Sequence, residues 1–145
     1  EVGDRFRFFP YFSVIFFDLD YLKEINEQHG HLVGTEVLKE VSRILQNSIR
    51  KIDIVSRFGG DEFVIVLADS DPELALQICK RLRDKIKSNH FLEKDGLNLK
   101  ISGCFGIANF PQHGSSVDDL IKKADMAMFK VKRSGKDGIN VYRET

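Results

Sequence analysis

Two β-rich runs, Ile54 to Phe58 and Glu62 to Leu67, are separated by nothing but Gly59, Gly60 and Asp61, and a link that short folds the chain back on itself as an antiparallel hairpin. The paired glycines predict a tight turn with positive φ at the hairpin tip. Around this hairpin, strand and helix signals alternate. Ser13 to Phe17 is an apolar, partly β-branched run of the kind buried on both faces of a sheet, and it delivers Asp18 and Asp20 at its carboxyl end. Leu22 to Gln28 predicts a brief helix stopped by Gly30, and Val33, Val37, Leu38, Val41, Ile44, Leu45 and Ile49 set the spacing of a longer one. Asp71, with Pro72 at the first helical position, opens a helix lined by Ala75, Ile78, Cys79, Leu82 and Ile86. Asp95-Gly96 then turns into an alternation of Leu97, Leu99, Ile101, Gly103, Phe105 and Ile107, which predicts one long central strand. Ser115 and Ser116, each three residues before an aspartate, predict the start of a last helix that ends at Gly135, and Ile139 to Tyr142 predicts a short closing strand. The hairpin makes a doubly wound parallel sheet a poor fit. The expected class is α/β in the α+β sense, a mixed or antiparallel central sheet flanked by helices.

A chain of 145 residues with 42% hydrophobic and 30% charged residues can bury one core. Residues 1–12 read as a lead-in from an upstream segment and residues 13–145 as a single domain. Opening on Glu1 without a signal-peptide pattern, the chain reads as a piece of a longer polypeptide. Its 22 basic and 22 acidic residues cancel, so no long-range positive field would hold it on nucleic acid or on an anionic membrane. The apolar stretch from Phe8 to Phe17 is interrupted by Pro10 and Ser13 and falls well short of the ~20 residues needed to span a bilayer. Cys79 and Cys104 lie far apart with no CxxC, and read as core residues in a reducing cytoplasm rather than as a disulfide or zinc site.

The chemistry concentrates in Gly59-Gly60-Asp61-Glu62-Phe63 and Phe17-Asp18-Leu19-Asp20. Acids gathered at the ends of adjacent strands supply the hard oxygens that Mg²⁺ selects, and glycines without Cβ atoms let the backbone approach a bulky nucleotide. A hairpin with merely solvated acids is the plain alternative.

With these two segments stand Lys23-x-x-Asn26, Gly30-His31-x-x-Gly34, Arg57-Phe58 before the glycines, Ser102-Gly103-x-x-Gly106, and Ala124-Asp125-x-Ala127-Met128-Phe129-x-x-Lys132-x-x-Gly135-Lys136. In this order, from about Val14 to Tyr142, the motifs resemble the GGDEF family of cyclic di-GMP synthases. The resemblance implies a five-stranded central sheet wrapped by helices, akin to the nucleotide-cyclase and polymerase-palm core. It implies a bacterial, cytoplasmic nucleotidyltransferase of the EC 2.7.7 class, whose full-length form could be tethered to a membrane through regions outside this chain. Asp18, Asp61 and the backbone carbonyl of Leu19 would hold Mg²⁺, or Mn²⁺ in its place, and Asp61 or Glu62 would receive the 3′-hydroxyl proton. Lys23 would stabilise charge on the transferring phosphorus, the backbone N–H groups of Tyr21 and Leu22 would meet terminal phosphates, and Lys132 and Lys136 would grip the triphosphate. Asn26, His31, Thr35, Gly59 and Gly60 would line the substrate pocket. The implied reaction joins two GTP, one on each of two facing copies of the domain, into cyclic di-GMP with loss of pyrophosphate, under an upstream sensor.

The sequence departs from the family at informative places. Lys136 stands where arginine is usual, giving a point charge rather than a bidentate fork. Gly34-Thr35 replaces a Gly-Asp whose carboxylate accepts from guanine N1–H and the 2-amino group, donors that adenine lacks. Thr35 therefore either tolerates both purines, so that ATP is also accepted and cyclic GMP-AMP made, or merely packs on its helix while Asn26 and backbone groups select guanine. Arg50-Lys51-Ile52-Asp53 has the family spacing of an inhibitory product site, with a surface ion pair as the alternative. The segment Glu1 to Phe12 lacks the family's usual opening stretch. Two rival readings follow: a non-catalytic receptor that binds cyclic di-GMP through Arg50 and Asp53, and a single-nucleotide cyclase. Intact Asp18, Asp61, Glu62 and Lys23 weigh against the first, and the product site against the second.

Overall fold

The structure, a computed structural model, describes residues 9–144. The lead-in expected over residues 1–12 falls largely outside that range. The first element is β1 (Phe12–Leu19), followed by the short helix α1 (Leu22–His29), α2 (His31–Ser48), the hairpin strands β2 (Ile54–Arg57) and β3 (Glu62–Ala68), α3 (Pro72–Ser88), β4 (Gly103–Phe110), α4 (Val117–Arg133) and β5 (Gly138–Val141). The five-stranded sheet has the order β2-β3-β1-β4-β5. Every pairing is antiparallel except β4 with β5, so the sheet is mixed, as the hairpin required.

β1 lies at the centre, between β3 and β4, and both of its faces are covered. Ile15, Phe17 and Leu19 enter a core with Phe63, Ile65, Phe105 and residues of α1, α2 and α3. Val14 and Phe16 face Leu120, Ala124 and Met128 of α4 on the other side. This two-sided burial explains why β1 reads as a continuous apolar run instead of an alternating one. The helix starts follow their caps: Asp71 accepts from Leu74 N–H at 2.8 Å, and Ser116, rather than Ser115, accepts from Asp119 N–H at 3.1 Å.

Two expectations are corrected. The long strand from Leu97 to Ile107 begins only at Gly103 and runs on to Phe110. Its neighbour β1 ends at Leu19, opposite Gly103, and Tyr21 then turns the chain at φ 66° into α1, so the residues before Gly103 have no strand beside them. Leu99 instead bridges to Phe91, while Ile101 is buried and Leu97 packs against the same core. Alternation records burial there, not a ladder. The second correction concerns the hairpin tip, because neither Gly59 nor Gly60 takes a positive φ; the described glycines that do are Gly30, Gly96 and Gly135. The turn is held by Phe58 N–H to Glu62 C=O at 2.8 Å and by the Arg57 guanidinium on the Gly60 carbonyl at 2.6 Å. At 59 a Cβ would meet the Glu62 carboxylate, so a larger residue there would push that side chain aside.

Asp137, at φ 49°, ties the α4–β5 turn to α3 through Lys87 at 2.6 Å and Arg83 at 3.2 Å. The Lys87 hydrogen bond, with help from Arg83, holds its carboxyl below the ordinary value. A lowered folded pKa stabilises above the unfolded value, and that contribution disappears as the pH falls through the folded one. Asp137→Asn, which keeps a residue type tolerant of this backbone, is therefore expected to lower the melting temperature at neutral pH. In paired melts across pH, the difference from wild type should close as the pH drops below the unfolded value of about 3.9.

Candidate active site

The register of β1 places Asp18 opposite Glu62, and Leu19 N–H donates to the Asp61 carbonyl at 3.2 Å. The strand end and the hairpin tip, with Asp18 and Asp61 lying 43 positions apart in sequence, thus form one acidic corner. Asp18 Oδ1 is buried and no donor reaches it. The Asp61 carboxyl stands beside that of Asp18. Burial pushes the Asp18 carboxyl up to about 7; Lys132 opposes the rise, and Asp61 and Glu62 add to it. The Glu62 carboxyl is also raised, by burial and then by the charges of Asp125 and Asp61.

Asp125, itself raised by burial, is a member of this corner to which the sequence assigned no role. Its only signal was a place in the α4 motif. Asp20 was likewise left without a role. It is fully buried and accepts from Ser102 Oγ at 2.7 Å, Cys104 Sγ at 3.0 Å, Lys132 Nζ at 3.3 Å and Asp137 N–H at 3.0 Å. Both cysteines are buried and unpaired, and burial together with the Asp20 contact pushes the Cys104 thiol up to about 12, which leaves it without nucleophilic character.

Among the described residues, no group of three or more His, Cys, Asp or Glu side chains forms a closed metal cage. The donors nonetheless suit Mg²⁺, which takes one or two carboxylates and completes its shell with water and phosphate. The buried, unpartnered oxygen of Asp18 is a hard donor that such a cation would satisfy.

The structure gives Lys132 a different setting from the one expected. Its Nζ donates to the Leu19 carbonyl at 2.9 Å and lies 3.3 Å from Asp20 Oδ1 and 3.7 Å from Asp18 Oδ2. Burial alone would depress its ammonium, but Asp18 and Asp20 outweigh that and hold it above the ordinary value. Lys136 rests its ammonium 4.3 Å from the centre of the Tyr21 ring, a cation–π contact.

Beside the acidic corner, α1, α2 and the hairpin enclose a cleft of about 560 Å³ lined by Lys23, Asn26, His31, Thr35, Gly60 and Asp61 among others. Asn26 Oδ1 is buried there without a partner, folded over Gly34, where a Cβ would collide with it. Thr35 Oγ1 donates to the His31 carbonyl at 2.9 Å, so its hydroxyl presents lone pairs to the cleft rather than a proton. Lys23 is exposed at the mouth, 4.0 Å from Glu27. Gly59 does not line the cleft; it makes room for Glu62.

Arg50 and Asp53 lie elsewhere, at the Ala68 end of β3. Asp53, with a fully buried side chain, accepts from Arg50 N–H, Nε and Nη2, each at 2.9 Å, and from Ala68 N–H at 3.0 Å. Arg50 Nη2 also donates to the Ala68 carbonyl at 2.7 Å. The Asp53 oxygens are engaged within this clamp, and of the two side chains Arg50 is the one that faces solvent.

The family model described as "Diguanylate cyclase, GGDEF domain" matches residues 10–138. The chain belongs to the GGDEF family. It is 34% identical over 131 residues to the diguanylate cyclase DosC of Escherichia coli, covering 90% of this chain and 28% of DosC. The active GGEEF domain of a diguanylate cyclase from Vibrio cholerae superposes with a TM-score of 0.84 at 31% identity, covering 93% of this chain and 85% of that one. The GGDEF domain of YfiN (TpbB) from Pseudomonas aeruginosa gives 0.87 at 31% identity, covering 93% and 84%. The GGDEF fold and membership of a nucleotidyltransferase family are thereby established, for a chain that spans little more than a quarter of DosC. Among the described residues, no helix of this GGDEF domain is long and apolar enough to cross a membrane.

Proposed function

We propose that this domain condenses two GTP into cyclic di-GMP and accepts ATP in place of one GTP. One observation carries the reading: of the three buried side-chain oxygens without a hydrogen-bond partner among the described residues, Asp18 Oδ1 stands at the acidic corner and Asn26 Oδ1 in the adjoining cleft. Buried polar atoms are rarely left unpaired, and here the two orphans sit where a phosphate-bound cation and a purine edge would complete them.

Asp18, the Leu19 carbonyl and Asp61 would hold Mg²⁺ or Mn²⁺, which when bound supplies Lewis-acid polarisation of the phosphate oxygens. Asn26, His31 and Thr35 orient the base, while Lys23 and Lys136 face the phosphates. The 3′-oxygen of one nucleotide attacks the α-phosphorus of the other, and pyrophosphate leaves with the bridging oxygen. Glu62, whose carboxyl is raised, takes the 3′-hydroxyl proton, with Asp61 beside it. Repetition from the second nucleotide closes the ring and releases a second pyrophosphate. Each copy of the domain holds one nucleotide, so turnover depends on a partner copy brought close by segments outside this chain, under an upstream sensor. GTP supply places the reaction in the cytoplasm. Product inhibition acts through the solvent-facing edge of Arg50, held in place by Asp53.

Incubating the domain, dimerised artificially, with Mg²⁺ and GTP, ATP or both tests this reading. Cyclic di-GMP from GTP and a mixed product from both are expected; no dinucleotide in any mixture refutes it and favours a receptor. Thr35→Asp restores a charged acceptor for guanine. A hydrogen bond to a charged group is worth about 1.5–3 kcal/mol, so the mixed product should fall roughly tenfold or more relative to cyclic di-GMP. An unchanged product ratio would remove Thr35 from base selection.

A further inference from the structure

We propose that Lys132 is an internal counter-cation: its ammonium sits on the oxygens of the metal position, and must leave before a divalent cation can bind. The inference rests on the reading of Asp18 and the Leu19 carbonyl as metal ligands and adds a competitor for them within the same chain.

The contacts of the lysine are those that a cation would take. Its Nζ is 2.9 Å from the Leu19 carbonyl oxygen and 3.7 Å from Asp18 Oδ2, and its side chain is 20% exposed. Magnesium binds oxygen at about 2.0–2.1 Å. An ion on Leu19 and Asp18 would therefore lie within a few ångströms of the ammonium, where two positive charges in a half-buried pocket repel strongly. Occupancy by one excludes the other.

Asp20 explains why the lysine is drawn in. Three other donors already engage this buried carboxylate, from Ser102, Cys104 and the backbone of Asp137. Those donors fix its position, and the Lys132 ammonium is the full positive charge in contact with it. Asp20 thus draws the Lys132 ammonium to the oxygens of the metal ligands until an incoming ion displaces it. The substitution is incomplete: the lysine reaches Asp18 Oδ2, while Oδ1 keeps no partner. A compact ammonium on a flexible stem can swing from these oxygens to phosphate when a nucleotide arrives. Loss of the Leu19 contact then opens the site as the triphosphate enters, so cation and nucleotide help each other to bind through one residue.

The test measures Mn²⁺ alone, without nucleotide, by calorimetry and by the electron paramagnetic resonance of unbound Mn²⁺. Wild type, Lys132→Met and Lys132→Gln would be compared in the full 145-residue chain, with Asp18→Asn as the reference for loss of the site. Both lysine variants are expected to bind Mn²⁺ at least tenfold more tightly than wild type. Thermal melts supply a second readout: the lysine variants should melt lower than wild type in chelator and gain more from added Mn²⁺. Equal or weaker Mn²⁺ binding in the lysine variants, with binding still abolished in Asp18→Asn, overturns the inference and leaves the metal site standing. Mn²⁺ binding by none of the proteins, or binding unaffected by Asp18→Asn, removes the metal site itself and the inference with it.

Discussion

Asp61→Asn is expected to cut cyclic dinucleotide formation by about three orders of magnitude or more while the domain stays folded. The substitution keeps the shape of the side chain and leaves untouched the Asp61 carbonyl that receives Leu19 N–H. What it removes is a negative charge at the junction of the cleft and the acidic corner. Lewis-acid stabilisation of the transferring phosphate is worth several kcal/mol, and each 1.36 kcal/mol is tenfold in rate. Initial rates of product formation with saturating GTP and Mn²⁺ check the loss, and near wild-type turnover would show that Asp61 holds no metal. Asp18→Asn should be as inactive, yet more stable than wild type near neutral pH. The folded Asp18 carboxyl titrates near 7, chiefly through burial. Its raised value means that stability is lost as the pH climbs from the unfolded value of about 3.9 towards 7. The amide variant escapes that loss.

The second large effect is expected from Gly106→Ala, which should lower stability by at least about 3 kcal/mol, a large part of the roughly 5–15 kcal/mol a domain possesses. Gly106 is the point where β4 meets α4 backbone to backbone: a Cβ there would overlap the Ala124 carbonyl and the Met128 amide. No side chain can rotate away to relieve that overlap, so the helix must lift off the sheet. Because α4 also carries Asp125 and Lys132, displacement would disturb the site together with the core. Thermal unfolding should show a midpoint more than about 6 °C lower, at roughly 2–4 °C per kcal/mol for a chain of this size or somewhat larger. Gly60→Ala, where nothing lies within 4 Å of the added atom, is the control and should move the midpoint little. Equal melting of the two variants would mean that α4 does not pack as described.

The sequence disclosed those parts of the architecture whose causes are local. Asp71 and Ser116 marked their helix starts because a cap is a contact within four residues, and the four-residue link between β2 and β3 fixed an antiparallel pair by its length alone. Period-two alternation carried less information than it suggested. It reports which residues turn towards the core, and Ile101 is buried and Leu97 and Leu99 partly so without belonging to a strand of the sheet. Where a ladder stops depends on where the neighbouring strand stops, a long-range fact that no window of sequence holds.

The site shows the same division. Asp18 and Asp20 are two identical residues in one short motif, yet their situations differ because of the donors that reach them from 82 or more positions away: Ser102, Cys104 and Lys132 satisfy Asp20, while one oxygen of Asp18 is left bare. The motif assigned Lys132 to phosphate, and only the folded chain shows its ammonium on the Leu19 carbonyl. The spacing of Arg50 and Asp53 gave no sign that Asp53 also closes a turn against Ala68. Residue type and spacing identify which groups are available; burial and competing donors decide which of them remain open to a ligand.

The most direct test of the acidic corner is anomalous diffraction from crystals grown with Mn²⁺ and a non-hydrolysable GTP analogue. The expected result is a manganese peak bounded by the Asp18 carboxylate, the Leu19 carbonyl and Asp61, with Lys132 turned from Leu19 onto the phosphates and the purine against Asn26. A nucleotide bound with no manganese among those oxygens, and Lys132 still on the Leu19 carbonyl, would contradict the account.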